Sequence, residues 1–166
     1  MKKSVLIVVL FLILTLVDLS YILLSNPNIF GEITKEFYIN ENQEVTEEKI
    51  VTKIIDGDTV IIEGGENVRL LGMDCDERGK KCYTIAKKRI EELLIGKKVV
   101  LERDNEDKDQ YGRLLRYIFL DSENINVKMV KEGYCVARFQ GESKYKEEIQ
   151  SAESYAISNK IGCKWS

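Results

Sequence analysis

The chain has 166 residues, 32% of them charged, and a formal net charge of −3. That length suits one domain plus an appendage, and the near-neutral balance excludes a bulk polycationic field, so any nucleic-acid contact must come from a local basic face. The complete absence of histidine excludes Ser-His-Asp and Cys-His nucleophile pairs, His-ligated zinc and every His general base. Proton transfer is left to carboxylates, Lys, Tyr or bound water.

Lys2 and Lys3 precede an apolar run from Val5 to Val17, broken by Thr15, which resumes after Asp18 from Tyr21 to Leu24. About 20 such residues suffice for a helix to cross a bilayer. A secretory signal peptide shares the basic start and apolar centre, but no A-x-A-like cleavage site follows. Residues 1–24 are therefore predicted to form an N-terminal transmembrane helix, with a cleaved signal helix as the alternative. Basic residues before the run and acidic residues after it place the rest of the chain outside the cytoplasm, membrane-anchored or, after cleavage, secreted. Residues 25–47 hold the only proline, Pro27, show no sustained periodicity and are expected to be a polar linker.

Residues 48–166 are expected to form the folded domain. Lys49 to Ile55 and Thr59 to Glu63 are rich in Val, Ile and Thr, with Asp-Gly between them, and are predicted as two strands. Asn67 to Met73 is the third. Thr84 to Leu94 has apolar residues at helical spacing, with Gly96 as a stop. Lys98 to Glu102 and Leu114 to Leu120 are the fourth and fifth strands. A short helix over Ile125 to Glu132, closed by Gly133, and a longer one over Ser143 to Asn159 complete the domain. The order predicts an α+β fold built on a five-stranded, partly open barrel of the OB type with about three helices.

The four cysteines, Cys75, Cys82, Cys135 and Cys163, contain no C-x-x-C pair, so no zinc site is expected. Buried free thiols are the first expectation, and a disulfide is the alternative if the compartment is oxidising.

Charged residues concentrate between Thr52 and Glu77. Asp56 and Asp58 stand at one end, Asp74, Asp76 and Glu77 at the other, with Arg69 inside an apolar run. Folded as a hairpin, this stretch brings carboxylates together beside a guanidinium. Asp56, in an Asp-Gly turn, is expected to serve the turn.

Ile55 to Val60 (I-D-G-D-T-V), Val68 to Asp74 (V-R-L-L-G-M-D) with Glu77 three residues on, and Tyr111 to Arg113 (Y-G-R) together resemble the thermonuclease family, of which the staphylococcal nuclease is the best-known member. The likeness runs from roughly Val51 to Trp165. It implies an OB-fold, calcium-dependent endonuclease that cleaves DNA and RNA with little sequence specificity and leaves 3′-phosphate ends. It further implies Ca2+ held by Asp58, Asp74 and the backbone carbonyl of Cys75, with Arg69, Arg113 and Glu77 as the catalytic residues. Phe139 aligns with the family's nucleotide-stacking tyrosine, and Tyr111 is a second aromatic contact for the substrate. No obligate protein partner is implied.

The chemistry of the residues agrees. Calcium prefers hard oxygen ligands, guanidinium forks match the oxygens of a phosphodiester, and Glu77 can take a proton from the attacking water. Cys75-Asp76 stands where the family usually has Thr-Pro, which frees φ in the loop before Glu77, and Gln110 replaces a lysine. In the family the region after the short helix packs on the end of the last one, which implies a Cys135–Cys163 disulfide in an oxidising compartment. The alternative function is a catalytically weak or inactive OB-fold module that grips single-stranded nucleic acid through Phe139, Tyr111 and basic residues.

Overall fold

The computed structural model describes residues 46–166. The expected anchor over 1–24 and the linker up to residue 45 lie outside the described residues, among which no helix is long and apolar enough to cross a membrane. In chain order the elements are β1 (Thr46–Ile54), β2 (Thr59–Ile62), β3 (Asn67–Leu70), β4 (Met73–Cys75), α1 (Tyr83–Leu94), β5 (Lys98–Lys108), β6 (Leu114–Leu120), β7 (Glu123–Asn124), α2 (Ile125–Lys131), β8 (Cys135–Ala137), α3 (Lys146–Ser158) and α4 (Gly162–Trp165).

Strands β3, β2, β1, β5 and β6 are hydrogen-bonded in that order, each pair antiparallel. A parallel pairing of β3 with β6, Val68↔Leu114 through Leu70↔Arg116, closes the ring. The barrel is therefore closed rather than partly open, which satisfies the backbone groups an edge would leave bare. The two-residue β7 extends β6.

The β-branched alternation that marks the strands in sequence places Val51, Val60, Ile62, Val68, Leu70, Val99 and Leu101 in one buried core. Helix α1 adds Ala86, Ile90 and Leu94, spaced i, i+4, i+8 on one face. Helix α2 adds Ile125, Met129 and Val130, and α3 adds Ile149 and Ala152.

Two further departures from the sequence reading shape the site. The third predicted strand is divided at Leu71–Gly72. Gly72 has φ +73°, and a Cβ there would lie 2.5 Å from Ile149 Cδ1 and 3.0 Å from Phe139 Cε1; only glycine meets both demands. The fully buried Asn126 fastens this turn, donating from Nδ2 to the Leu71 carbonyl at 2.8 Å. Beyond the turn β4 pairs antiparallel with β8, Asp74↔Val136 and Cys75↔Cys135, in a separate two-stranded sheet.

The cysteines are the second departure. They are neither free thiols nor paired as Cys135–Cys163. Cys75 is bonded to Cys135 and Cys82 to Cys163. The β4–β8 register sets Cys75 directly opposite Cys135, and Cys163, in the four-residue α4, is left to meet Cys82 at the start of α1. Among the described residues there are four helices, one more than expected for the folded domain, because α4 follows α3 after a short turn.

Candidate active site

The site begins in the β1–β2 turn. Asp56 Oδ1 accepts the backbone N–H of Asp58 at 3.1 Å, an Asx turn of the kind expected for that residue. At Gly57 a Cβ would sit 2.8 Å from Cys75 Cβ and 2.9 Å from Ala86 Cβ, so the missing side chain lets the turn press against β4 and α1. Asp58 is thereby carried inside. Its Oδ2 accepts the N–H of Cys75 at 2.8 Å, and its Oδ1 accepts the Thr59 hydroxyl at 3.1 Å.

Arg69 stands opposite Thr59 in the β2–β3 register. Its Nη1 lies 3.2 Å from Asp58 Oδ2, and its Nη2 lies 3.1 Å from Asp74 Oδ1. Nη1 also donates to the Leu70 carbonyl at 3.0 Å. The guanidinium thus bridges the two carboxylates that the sequence placed at opposite ends of the stretch. Burial pushes the Asp58 carboxyl up to about 6, and the opposing pull of Arg69 and the Cys75 N–H does not cancel it. Asp58 is a carboxylate whose desolvation is only partly offset, a setting in which added positive charge is favourable. Among the described residues no group of three or more acidic or cysteine side chains is placed to hold an ion. A hard cation here would take the Asp58 and Asp74 carboxylates, with a backbone carbonyl such as that of Cys75 and water completing its shell. In chemical type the donors suit calcium.

Arg113 reaches the site from the turn between β5 and β6, which Asp109 organises. Asp109 Oδ1 accepts the N–H groups of Tyr111 and Arg113 at 2.9 and 3.0 Å, and its Oδ2 lies 2.7 Å from both Nε and Nη2 of Arg113. The guanidinium also lies 5.5 Å from the centre of the Tyr111 ring, whose residue is 74% exposed.

A cavity of about 330 Å³ is lined by Arg69 and Arg113 from the barrel, with Arg138 and Phe139 from the segment after β8. Asp104, Glu106 and Glu142 line it as well. A concave surface with three guanidinium groups and an aromatic ring suits a phosphate joined to a base. Asp58, Asp74, Cys75, Glu77 and Tyr111 are not among its lining residues; the two aspartates connect to it through Arg69. Glu77 lies exposed in the turn after β4, its carbonyl accepting the Lys80 N–H at 3.0 Å, and its carboxylate has no hydrogen bond or ion pair among the described residues.

Two residues of the site were not identified from sequence. Arg138 places Nη1 3.7 Å from Asp74 Oδ2 while lining the cavity; its position next to Phe139, a basic residue beside an aromatic one, was the available signal. Asp109 had none, because a carboxylate in a charged run resembles any solvated residue until the turn is folded.

Residues 67–166 match the family model described as staphylococcal nuclease homologue. The chain is 39% identical over 124 residues to a thermonuclease of Staphylococcus intermedius, which covers 66% of this chain and 71% of that protein. It is 36% identical over 120 residues to a thermonuclease of Staphylococcus hyicus, with 64% and 69% covered. To endonuclease YncB of Bacillus subtilis it is 32% identical over 139 residues, with 76% and 65% covered. With the barrel closed and the three motifs carried on its strands and turns, the chain belongs to the staphylococcal nuclease homologue family.

Proposed function

We infer that the chain is a nuclease that hydrolyses phosphodiester bonds, and that it is a calcium-dependent endonuclease acting on DNA and RNA with little sequence specificity. The observation that carries this reading is Arg69 standing between Asp58 and Asp74 while lining the cavity it shares with Arg113. The relatives named thermonuclease and endonuclease support the activity. The absence of histidine makes a carboxylate the natural proton acceptor.

In this reading the substrate phosphate lies against Arg69 and Arg113, whose planar N–H pairs hold two of its oxygens and gain strength as charge builds there. Phe139 supports a neighbouring base, and Tyr111 offers a second ring at the rim. Glu77 takes the proton of the attacking water as the oxygen–phosphorus bond forms. The bond from phosphorus to the 5′ oxygen breaks, that oxygen takes a proton from solvent water and leaves as a 5′ hydroxyl, and the phosphate stays on the 3′ end of the other fragment. Calcium bound by Asp58, Asp74 and the Cys75 carbonyl would supply charge neutralisation at the phosphate and polarise water. Asp109 holds the Arg113 fork in place.

The domain is proposed to act outside the cytoplasm, tethered by the apolar N-terminal segment or released from it. Two disulfides favour an oxidising compartment, which supports export. Protease accessibility on intact cells tests this; a protected, soluble cytosolic chain would contradict it. The activity itself is tested with purified chain and denatured DNA in calcium or in chelator. Binding without cleavage in calcium would favour the OB-fold binding module instead.

A further inference from the structure

The short loop bearing Glu77 is fastened at both ends to parts of the chain remote in sequence. Cys75 is bonded to Cys135 of β8, 60 residues away, and Cys82 to Cys163 of α4, 81 residues away. Between these disulfides Asp76 makes two further ties. Its Oδ1 accepts from Lys164 Nζ at 2.6 Å, and its Oδ2 accepts the Cys82 N–H at 2.9 Å. Lys81 Nζ donates to the backbone oxygen of Ser166 at 2.8 Å. Residues 75, 76, 81 and 82 are therefore all held by β8 or by residues 163–166, while the intervening Glu77, Arg78, Gly79 and Lys80 are exposed.

An exposed turn containing Gly79 at φ +92° has little of its own to fix a side chain, since each unrestrained residue must lose backbone entropy on ordering. A proline before Glu77 would limit that freedom covalently; Asp76 stands there instead. The Asp76 and Lys164 side chains are only 13% and 19% exposed, so this pair is shielded from the solvent that weakens surface ion pairs. Its location one residue before Glu77 makes it a direct restraint on where that carboxylate points.

We propose that Asp76 and Lys164, together with the Cys75–Cys135 and Cys82–Cys163 disulfides, are positioning residues for Glu77, so that the nuclease works at full rate only while both disulfides are closed. The inference rests on the assignment of Glu77 made above. A dithiol reductant opens each disulfide by delivering two electrons and two protons, giving two protein thiols while its own thiols close to a disulfide. The ends of the loop are then released, and Glu77 loses its alignment with the attacking water.

The test uses the full chain, denatured DNA and calcium. With disulfides closed, Lys164→Met is expected to lower kcat by about 10- to 100-fold with KM little changed, the size of effect a small misplacement of a reacting group produces. Lys164→Arg is expected to recover most of the rate. On a Glu77→Ala background Lys164→Met is expected to cause no further loss, which a general loosening of the fold would not reproduce. Dithiol treatment of the native chain is expected to give a similar fall in kcat, reversed on reoxidation, at a temperature where circular dichroism shows the barrel folded. If the reduced chain unfolds, the Lys164 series decides. A folded Lys164→Met protein with native kcat overturns the proposal, as does an equal loss on the Glu77→Ala background. Full activity in Glu77→Ala itself would instead remove the assignment of Glu77. A Glu77→Ala loss alongside unaffected Lys164 variants removes the positioning role alone.

Discussion

Arg69 and Asp58 meet at 3.2 Å, Nη1 to Oδ2, because the β2–β3 register sets Arg69 opposite the residue that follows Asp58. The same guanidinium reaches Asp74 with its other nitrogen. Only a planar fork spans both carboxylates and still faces the cavity; a lysine ammonium provides a single point of charge. Arg69→Ala is expected to lower kcat by about 10²- to 10³-fold, the range seen for losing a donor to developing charge. Arg69→Lys is expected to recover only a small part. Steady-state kinetics on denatured DNA would check this, and near-native activity in Arg69→Lys would show that the bridge is dispensable.

Stability should depend on pH through Asp58. Its folded value, pushed up to about 6 by burial, lies above the ordinary 3.8. The folded state therefore holds the proton more tightly than the unfolded chain does. Below the unfolded value the group costs nothing, and as pH rises through the folded value the cost of the buried charge grows to about 3 kcal/mol. In chelator, Asp58→Asn is expected to melt above the native chain at pH 7.5, with the difference closing toward pH 4. Calcium is expected to raise the melting temperature of the native chain and to have little effect on the variant. Thermal melts across pH, with and without the ion, measure both; an Asp58→Asn protein that is less stable at pH 7.5 would refute the assignment.

The closeness of the Asp-Gly-Asp turn to β4 gives a prediction about packing. A Cβ on residue 57 would approach Cys75 Cβ to 2.8 Å and Cys75 Sγ to 2.9 Å, and the disulfide partner of Cys75 leaves it little freedom to move. Gly57→Ala is expected to cost about 1–3 kcal/mol by overpacking and to reduce activity by displacing Asp58. Denaturant titration gives the stability change.

Asp109 should matter through Arg113 rather than through the substrate. It accepts from two backbone N–H groups of the Tyr111–Arg113 turn and from the Arg113 side chain. Asp109→Ala is expected to lower kcat/KM by about tenfold or more through the loosened Arg113 fork. In an Arg113→Ala background the same change should add little. Double-mutant kinetics measure the coupling, and additive losses would separate the two residues.

Much of the fold was legible in the sequence because its signals are local. The Asp-Gly turn, the β-branched alternation of β1 to β3, and the apolar spacing of Ala86, Ile90 and Leu94 each act within a few residues. The candidate site was legible in part for the same reason: Asp58, Arg69 and Asp74 fall in one short stretch of sequence, in the β1–β2 turn, β3 and β4. The rest depended on contacts remote along the chain. The break at Gly72 is imposed by Phe139 and Ile149, both supplied more than sixty residues later. The β4–β8 pairing redirects Cys135 from Cys163 to Cys75. Asp76, one of the carboxylates clustered at the end of the Thr52 to Glu77 stretch, is held by Lys164, 88 residues away. Charge alone does not distinguish those roles.

The most direct measurement is cleavage of denatured DNA by the purified full chain, assayed in calcium and in chelator, for the native sequence and for Glu77→Gln and Arg113→Ala. The expected result is cleavage by the native chain that requires calcium, is abolished by chelator, and falls by at least about 10²-fold in either variant. Native chain that binds the DNA in calcium without cutting it, or variants that cut as fast as the native chain, would contradict the assigned site.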